Sequence, residues 1–334
     1  MSPRTKKILT RAIPIAFYVL LAVFLGLYIK GIDWDQLSKA HLNWGLLAIA
    51  TVLSLGFRYW GVMIWFFLLR RLGAGSLKGK TTALSYVYAK SWLGRYIPGA
   101  ATWIIGKVYF ASKLGISRAR LGVSGLLEGA LQIAATLALS LLLLLIDPRT
   151  ETLSPVIRIG MIVAFVGCVV ALIPVVFEFI VNLALRIVRR PKLSHDLFPS
   201  ASTMLLSALM YLGGAVIAGV SYYFISASIY PDIKPGDILF IVGATSLASA
   251  VSMLAVVIPG GLGVREGVLG LLLAQVMPGE LALLIVVITR VWSIAVDGIF
   301  FLLASGIRIV ARRRGAADDL GLDSGPATEP GAPA

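Results

Sequence analysis

The sequence predicts an all-α polytopic membrane protein: six full transmembrane helices plus two re-entrant broken hairpins in an inverted repeat. Three observations predict it. The 334 residues are 58% hydrophobic and only 14% charged, against about 25% charged in an ordinary globular chain. Several apolar runs exceed the roughly 18 residues that an α-helix needs to cross about 30 Å of hydrocarbon. Two mostly apolar stretches are each interrupted by a glycine- and proline-containing segment that carries charge. In lipid every backbone N–H and C=O must be satisfied within the chain, which makes the long runs helices. The ~10-residue alternation of a transmembrane β-barrel is absent.

The formal net charge is +14. Its lysines and arginines stand in short clusters between apolar runs, where they set orientation in a membrane rather than contact nucleic acid. Cys168 is the lone cysteine, and His41 and His195 are the two histidines. No metal-ligand spacing or cofactor motif is readable from them. No metal site and no cofactor is expected.

The first span, Ile8 to Ile29, follows Arg4, Lys6 and Lys7. It is too long for a signal peptide and lacks a small-residue cleavage site, so it reads as a retained helix. After a loop holding Asp33, Asp35 and Lys39, the second span runs from Trp44 to Leu69 and ends in Arg70, Arg71, Lys78 and Lys80. These clusters place the N-terminus and the second loop in the cytoplasm of a bacterial inner (plasma) membrane.

The stretch from Thr81 to Ser112 is broken at Gly94-Arg95-Tyr96-Ile97-Pro98-Gly99 and ends in Lys113, Arg118 and Arg120. Both ends are basic and each limb is short, so it reads as a hairpin that enters and leaves on one side. The third span, Leu121 to Ile146, crosses outward to Asp147, Arg149 and Glu151. The fourth, Val156 to Leu185, returns to Arg186, Arg189, Arg190 and Lys192, and the fifth, Ala201 to Tyr230, crosses outward again. The second broken stretch, Ile238 to Met277, is interrupted from Ile258 through Pro259-Gly260-Gly261 to Arg265-Glu266. The sixth span, Leu281 to Ile307, ends in the arginines at 308, 312, 313 and 314, which puts the C-terminus in the cytoplasm.

Residues 1–314 thus read as one integral membrane domain, with halves of about 8–147 and 155–312. Residues 315–334, rich in Gly, Ala, Pro and acidic residues, read as a disordered cytoplasmic tail. Each half holds two spans, a broken hairpin and one span, and Ile97-Pro98-Gly99 repeats as Ile258-Pro259-Gly260. Three full spans per half invert the second half in the membrane, an arrangement typical of transporters. Eight ordinary spans with two proline kinks are the alternative, at the cost of breaking the positive-inside pattern around Lys113, Arg118 and Arg120.

Charge inside a bilayer is costly and marks function or partnership. Nine ionisable residues fall at such depth: Arg58, Lys90, Arg95, Lys107, Glu128, Arg265, Glu266, Arg290 and Asp297. Six are cations, which points to an anion. A helix that restarts after Pro98-Gly99 or Gly260-Gly261 exposes N–H groups suited to phosphate or carboxylate, and glycine allows close approach. The candidate substrate-binding residues are therefore Arg95, Gly99, Gly260, Gly261, Arg265, Glu266 and Arg290. Glu128, Asp297, Arg58 and Lys107 are candidates for coupling or charge pairing.

Arg290 and Asp297, seven apart, share a helix face. Glu128 and Arg290 occupy matching places in the two halves and are expected to pair across them. Plainer readings stand beside these. Arg290 with Asp297 or Glu128 can be a neutralising pair alone. Lys90 and Lys107 can snorkel to the interface, Glu178 can be interfacial, and Arg58 can be bundle-facing structure.

Gly94-Arg95-Tyr96-Ile97-Pro98-Gly99 and Pro259-Gly260-Gly261-Leu262-Gly263-Val264-Arg265-Glu266-Gly267 resemble the two signature segments of the lysylphosphatidylglycerol synthase transmembrane, or flippase-like, family. The likeness covers about residues 8–312, and the second segment is the more specific. The resemblance implies a domain that moves aminoacylated phospholipids between leaflets, or serves glycolipid or polyprenyl-linked processes. Aminoacyl-lipid synthases also carry a soluble transferase domain, and this sequence ends in the polar tail, so the resemblance implies the transport half alone.

The function expected is a lipid flippase or transporter for an anionic or modified phospholipid or a polyprenyl-linked lipid, not an enzyme. Its partner is a membrane lipid with an anionic head group; a homo-oligomer stays open, and no P-loop for ATP is present. The alternatives are an intramembrane glycosyl- or acyl-transferase, or an accessory subunit of a lipid-modifying enzyme.

Overall fold

A computed structural model describes residues 42–75, 77–96, 102–187, 189, 191–255, 261 and 263–315. The first span, the turns Ile97-Pro98-Gly99 and Ile258-Pro259-Gly260, and the tail lie outside them. Among the described residues the protein is all helix, without a strand. Ten α-helices follow in order: α1 (Trp44–Arg71), α2 (Thr81–Trp92), α3 (Thr102–Ser112), α4 (Arg118–Leu145), α5 (Pro155–Ala171), α6 (Pro174–Ile187), α7 (Ala201–Ile229), α8 (Ile238–Leu254), α9 (Val264–Leu273) and α10 (Gly279–Arg313).

The long helices are capped where the sequence allows it. The Asn43 side chain accepts from the Leu46 N–H at the start of α1, and Ser200 accepts from the Thr203 N–H at the start of α7. Such caps satisfy donors with no partner inside the helix. Arg70 and Arg71 close α1, and Arg312 and Arg313 close α10, where cations favour the helix dipole.

Five helical segments are long and apolar enough to cross a membrane: α1, α4, α7, residues 235–254 (α8 with its preceding turn) and α10. The fourth span departs from expectation. Instead of one helix from Val156 to Leu185, the chain bends by 96° between α5 and α6. Pro174 begins α6, and proline both lacks the N–H that would continue the ladder and disfavours helical geometry before it. α5 buries none of its side chains within the protein, and α6 buries Phe177 and Val181, one turn apart.

The buried clusters fix the topology. One joins Leu47 and Ala50 of α1, Leu144 of α4, Ile225 and Ile229 of α7, Phe240 and Ile241 of α8, Leu269 and Leu273 of α9, and Ala282 and Ile285 of α10. These are the start of α1, α8 and α10 and the end of α4, α7 and α9. A second joins the end of α1, the start of α2, the end of α3 and the start of α4 to Phe300 and Ala304 of α10. That is the opposite end of the bundle, where most of the arginines and lysines lie. The second broken stretch therefore begins and ends at one pole, and the first begins and ends at the other.

Local contacts close the first hairpin. Lys80 donates to the Leu114 carbonyl at 2.9 Å, which ties the beginning of α2 to the turn after α3. Deeper in, a Cβ on Gly106 would meet Ser91 Oγ at 3.1 Å, and one on Gly94 would meet the Thr102 backbone at 3.3 Å, so the limbs lie side by side. At 12 and 11 residues, α2 and α3 are each ~18 Å long or less, well short of a span. In the second hairpin the limbs are unequal, because α8 has 17 residues and α9 has 10.

The halves exchange partners. α1 packs along α7, α2 packs on α10, and α4 packs on α8, so each hairpin rests against the last helix of the other half. Small residues permit this: a Cβ on Gly219 of α7 would lie 2.6 Å from the Val242 Cα of α8, the close backbone approach that holds helices together in lipid.

Labelling with a membrane-impermeant thiol reagent checks the topology in a chain whose Cys168 is replaced by serine. Cysteines at Lys78 and Lys113 should react from one side of the membrane, and cysteines at Lys234 and Glu280 from the other.

Candidate functional site

Three charged clusters lie inside the bundle. In the first, Asp297 of α10 is 1% exposed and is surrounded by donors. Arg58 Nε of α1 donates to Oδ1 at 2.7 Å, Trp92 Nε1 donates to Oδ1 at 3.1 Å, and the Tyr96 hydroxyl donates to Oδ2 at 2.6 Å. Arg58 also donates to Ser293 Oγ at 3.2 Å. Arg58 stands mid-way along α1 and Asp297 mid-way along α10, deep in the bundle. A carboxylate with three neutral or cationic donors is well satisfied there. It fastens the inner end of hairpin 1, through Trp92 and Tyr96, to two long helices.

In the second, Lys107 of α3 and Glu128 of α4 are 1% and 3% exposed. Lys107 Nζ lies 2.6 Å from Glu128 Oε2 and 2.9 Å from Oε1, and the Tyr88 hydroxyl donates to Oε1 at 3.3 Å. The ammonium also sits over three rings, 3.9 Å from the Tyr88 centroid, 4.6 Å from Trp103 and 5.1 Å from Trp65. Such a cage replaces water around a cation. Lys107 therefore does not snorkel. It is a sealed pin between hairpin 1 and α4.

In the third, Glu266 of α9 faces Arg290 of α10, with Oε1 and Nη1 3.3 Å apart. The pair is loosely aligned, and Arg290 Nε has no hydrogen-bond partner. The other Glu266 oxygen accepts the Gly263 N–H at 2.8 Å, so this carboxylate caps its own helix. At least one donor expected to be free for a ligand after Gly260-Gly261 is thus already used. Gly261 has φ +62°, and a Cβ there would lie 1.8 Å from Ser252 Oγ, so only glycine fits between the break and α8.

The two hairpin arginines complete the picture. Arg95 lies over the Trp92 ring at 4.7 Å and over Tyr96 at 5.9 Å. Arg265 donates to the Tyr222 hydroxyl of α7 and lies over its ring at 5.3 Å. Both arginines are half-buried, and among the described residues neither has a carboxylate at ion-pair distance. Both lie close enough to bear electrostatically on Arg290, and each also has a carboxylate within longer reach, Asp297 for Arg95 and Glu266 for Arg265. Hairpin 1 is docked on Asp297 and hairpin 2 on Arg290, seven residues apart on one face of α10. That spacing corresponds to ~10 Å along the helix axis, so the two hairpins attach to α10 about two turns apart.

The expected sites come together with changed partners. Glu128 pairs with Lys107 and Arg290 with Glu266, so the pairing of Glu128 with Arg290 across the halves does not occur. Asp297 and Arg290 do share a face, but Asp297 takes Arg58. The reason is reach: a residue's position on a helix face fixes where it points, and the nearest opposite charge on the adjoining element then wins. Gly99 and Gly260 lie outside the described residues. Lys90, in the last turn of α2, turns its ammonium over the Phe110 ring at 4.2 Å and the Tyr86 ring at 5.7 Å, and no carboxylate of the three clusters lies at ion-pair distance from it. Glu178 is bonded to His195 Nδ1 at 2.7 Å, which ties the loop after α6 to that helix. The sequence reading missed Trp92, Tyr96 and Tyr222. Only Tyr96 was signalled, by its place inside the first break.

The family model described as the lysylphosphatidylglycerol synthase transmembrane region matches residues 11–300, both hairpins included. The chain belongs to that family. It is a multi-pass membrane protein of a group named for lipid modification. No match was found among curated proteins or among solved structures. Among the described residues no group of three His, Cys, Asp or Glu side chains is placed to hold a metal ion.

Two substitutions test this geometry. Lys107→Met leaves Glu128 buried and unpaired and should cost about 3–5 kcal/mol, whereas the Lys107→Met, Glu128→Gln double variant should recover most of it; thermal unfolding in detergent reads both. Gly261→Ala should lower the melting temperature, and adding Ser252→Ala should restore only part, because the positive φ remains strained.

Proposed function

We propose that this family member moves a lipid with an anionic head group between leaflets, and that it acts by transport rather than catalysis. One observation carries the reading: among the described residues Arg95 and Arg265, one on each hairpin, have no carboxylate at ion-pair distance, unlike Arg58, Lys107 and Arg290. Clustered cations at membrane depth are expensive unless a cavity, a partner or a passing anion offsets them. Re-entrant segments entering from opposite faces, with their ends meeting near the middle, suit alternating access to one central site. The head group would pass between the arginines while its chains stay in lipid.

The positive-inside pattern supports placing the pole of Arg70, Lys113, Arg118 and Arg308 in the cytoplasm. Membership in a family named for lysylphosphatidylglycerol synthase supports a lipid as cargo. The partners proposed are therefore membrane lipids, and coupling to a gradient would fall to Glu266 before Glu128, which is sealed.

Reconstitution of the full chain in liposomes containing fluorescent phosphatidylglycerol tests the reading. Leaflet exchange should exceed that of protein-free liposomes. Arg265→Ala or Arg95→Ala should slow it roughly tenfold to a hundredfold, the scale of one charge-assisted hydrogen bond of ~1.5–3 kcal/mol. Exchange at the protein-free rate with phosphatidylglycerol and with a fluorescent phosphomonoester lipid, or exchange indifferent to both substitutions, would overturn it.

A further inference from the structure

The charges at the meeting hairpins can be counted. Arg58, Arg95, Lys107, Arg265 and Arg290 are cations; Glu128, Glu266 and Asp297 are anions. Each carboxylate is taken by one cation, at 2.7 Å for Arg58 and Asp297, 2.6 Å for Lys107 and Glu128, and 3.3 Å for Arg290 and Glu266. Among the described residues Arg95 and Arg265, one on each hairpin, are left without a carboxylate at ion-pair distance, as is Lys90, whose ammonium lies over the Phe110 and Tyr86 rings. The segments that complete the breaks, residues 97–101 and 256–260 with Leu262, contain no ionisable side chain, so they cannot compensate the excess. The arginines' other contacts are aromatic: Trp92 and Tyr96 for Arg95, Tyr222 for Arg265. Rings orient a guanidinium without cancelling its charge. Behind them Arg290, 7% exposed, keeps a buried Nε donor without a hydrogen-bond partner among the described residues, as does Oε1 of the Glu266 that faces it. A buried donor left unmade costs about 1–3 kcal/mol, and a ligand oxygen would meet it.

We infer that the site is matched to a head group carrying two negative charges on phosphate, a phosphomonoester or diphosphate, held between Arg95 and Arg265 with Arg290 behind. A guanidinium fork takes two phosphate oxygens at once, and two forks, one from each hairpin, suit a group with at least three equivalent oxygens. A phosphodiester, with one charge and two free oxygens, leaves one arginine uncompensated. The inference rests on the transport reading for a lipid as the bearer of that phosphate, but its test is separate.

The experiment uses the full chain in phosphatidylcholine nanodiscs at pH 8. There a phosphomonoester, with a second pKa of about 6, carries close to two charges. Native mass spectrometry measures retention of phosphatidic acid against phosphatidylglycerol, with inorganic phosphate as a soluble competitor. Phosphatidic acid should be retained roughly tenfold or more over phosphatidylglycerol. Arg95→Gln and Arg265→Gln should each reduce that preference towards parity while leaving phosphatidylglycerol bound, a change in selectivity that misfolding does not produce. Melting temperatures close to the parent's confirm the fold, and Lys90→Gln, outside the cluster, should keep the preference. Equal retention of the two lipids, or a preference unmoved by both glutamine variants, overturns the inference. Displacement of phosphatidic acid by millimolar inorganic phosphate overturns the lipid assignment and gives the site to a soluble phosphate. Preference without leaflet exchange would sink the transport reading alone; exchange without preference would sink this one alone.

Discussion

The architecture depends on one face of α10, where Arg290 and Asp297 stand seven residues apart. Each is an opposite charge for a different hairpin. Asp297 collects Arg58, Trp92 and Tyr96, and Arg290 meets Glu266. In water such contacts would be worth little, because solvent competes for every one of them. Inside a bilayer the alternative to pairing is an isolated charge in hydrocarbon, so partners are enforced rather than merely favoured. α2, α3 and α9, each too short to span a membrane alone, are fastened to the long helices through such contacts. The apolar contacts at the two poles fix where each hairpin begins and ends, and the charges on α10 fix how deep each reaches.

The three clusters divide into structural and available charge. Lys107 and Glu128 are shut away, bonded to each other and walled by Trp65, Tyr88 and Trp103. Asp297 is saturated by its donors. Arg95 and Arg265 differ in kind: both are half-buried, both lean on aromatic rings, and both stand where a chain break brings them to the meeting point. Apart from the basic clusters at one pole, these two arginines put positive charge inside the bundle, near where the two hairpins attach to α10.

Much of this was legible in the sequence, and the limits have physical causes. The breaks, the basic clusters and the parity of the spans sufficed to place the hairpins, because hydropathy and the positive-inside pattern act on whole segments. Partners were less legible. The interval from Arg290 to Asp297 shows a shared face, but nothing in it shows that Arg58, 239 positions away, faces the same place. Pairing of Glu128 with Arg290 followed from matching positions in the repeat, yet the repeat relates folds rather than charges, and Lys107 has the shorter path to Glu128. The bend at Pro174 was readable in principle. A 30-residue apolar run is long for one span, and a proline in its middle is the usual cause of a sharp turn.

The repeat is also unequal in a way that bears on movement. Hairpin 1 is fastened twice: Trp92 and Tyr96 bind Asp297, and Lys107 binds Glu128 with an aromatic wall around it. Hairpin 2 is fastened at its inner end by a single loosely aligned pair, Glu266 with Arg290, and by the contact of Arg265 with Tyr222. Glu266 divides its two oxygens between Arg290 and the Gly263 N–H, so the strength of one contact trades against the other. An anion arriving at Arg265 and Arg290 would compete with Glu266 for the same guanidinium and so loosen the pair that docks this hairpin. Among the described contacts hairpin 2 therefore has the weaker fastening at its inner end, and hairpin 1, with its sealed ion pair, the stronger.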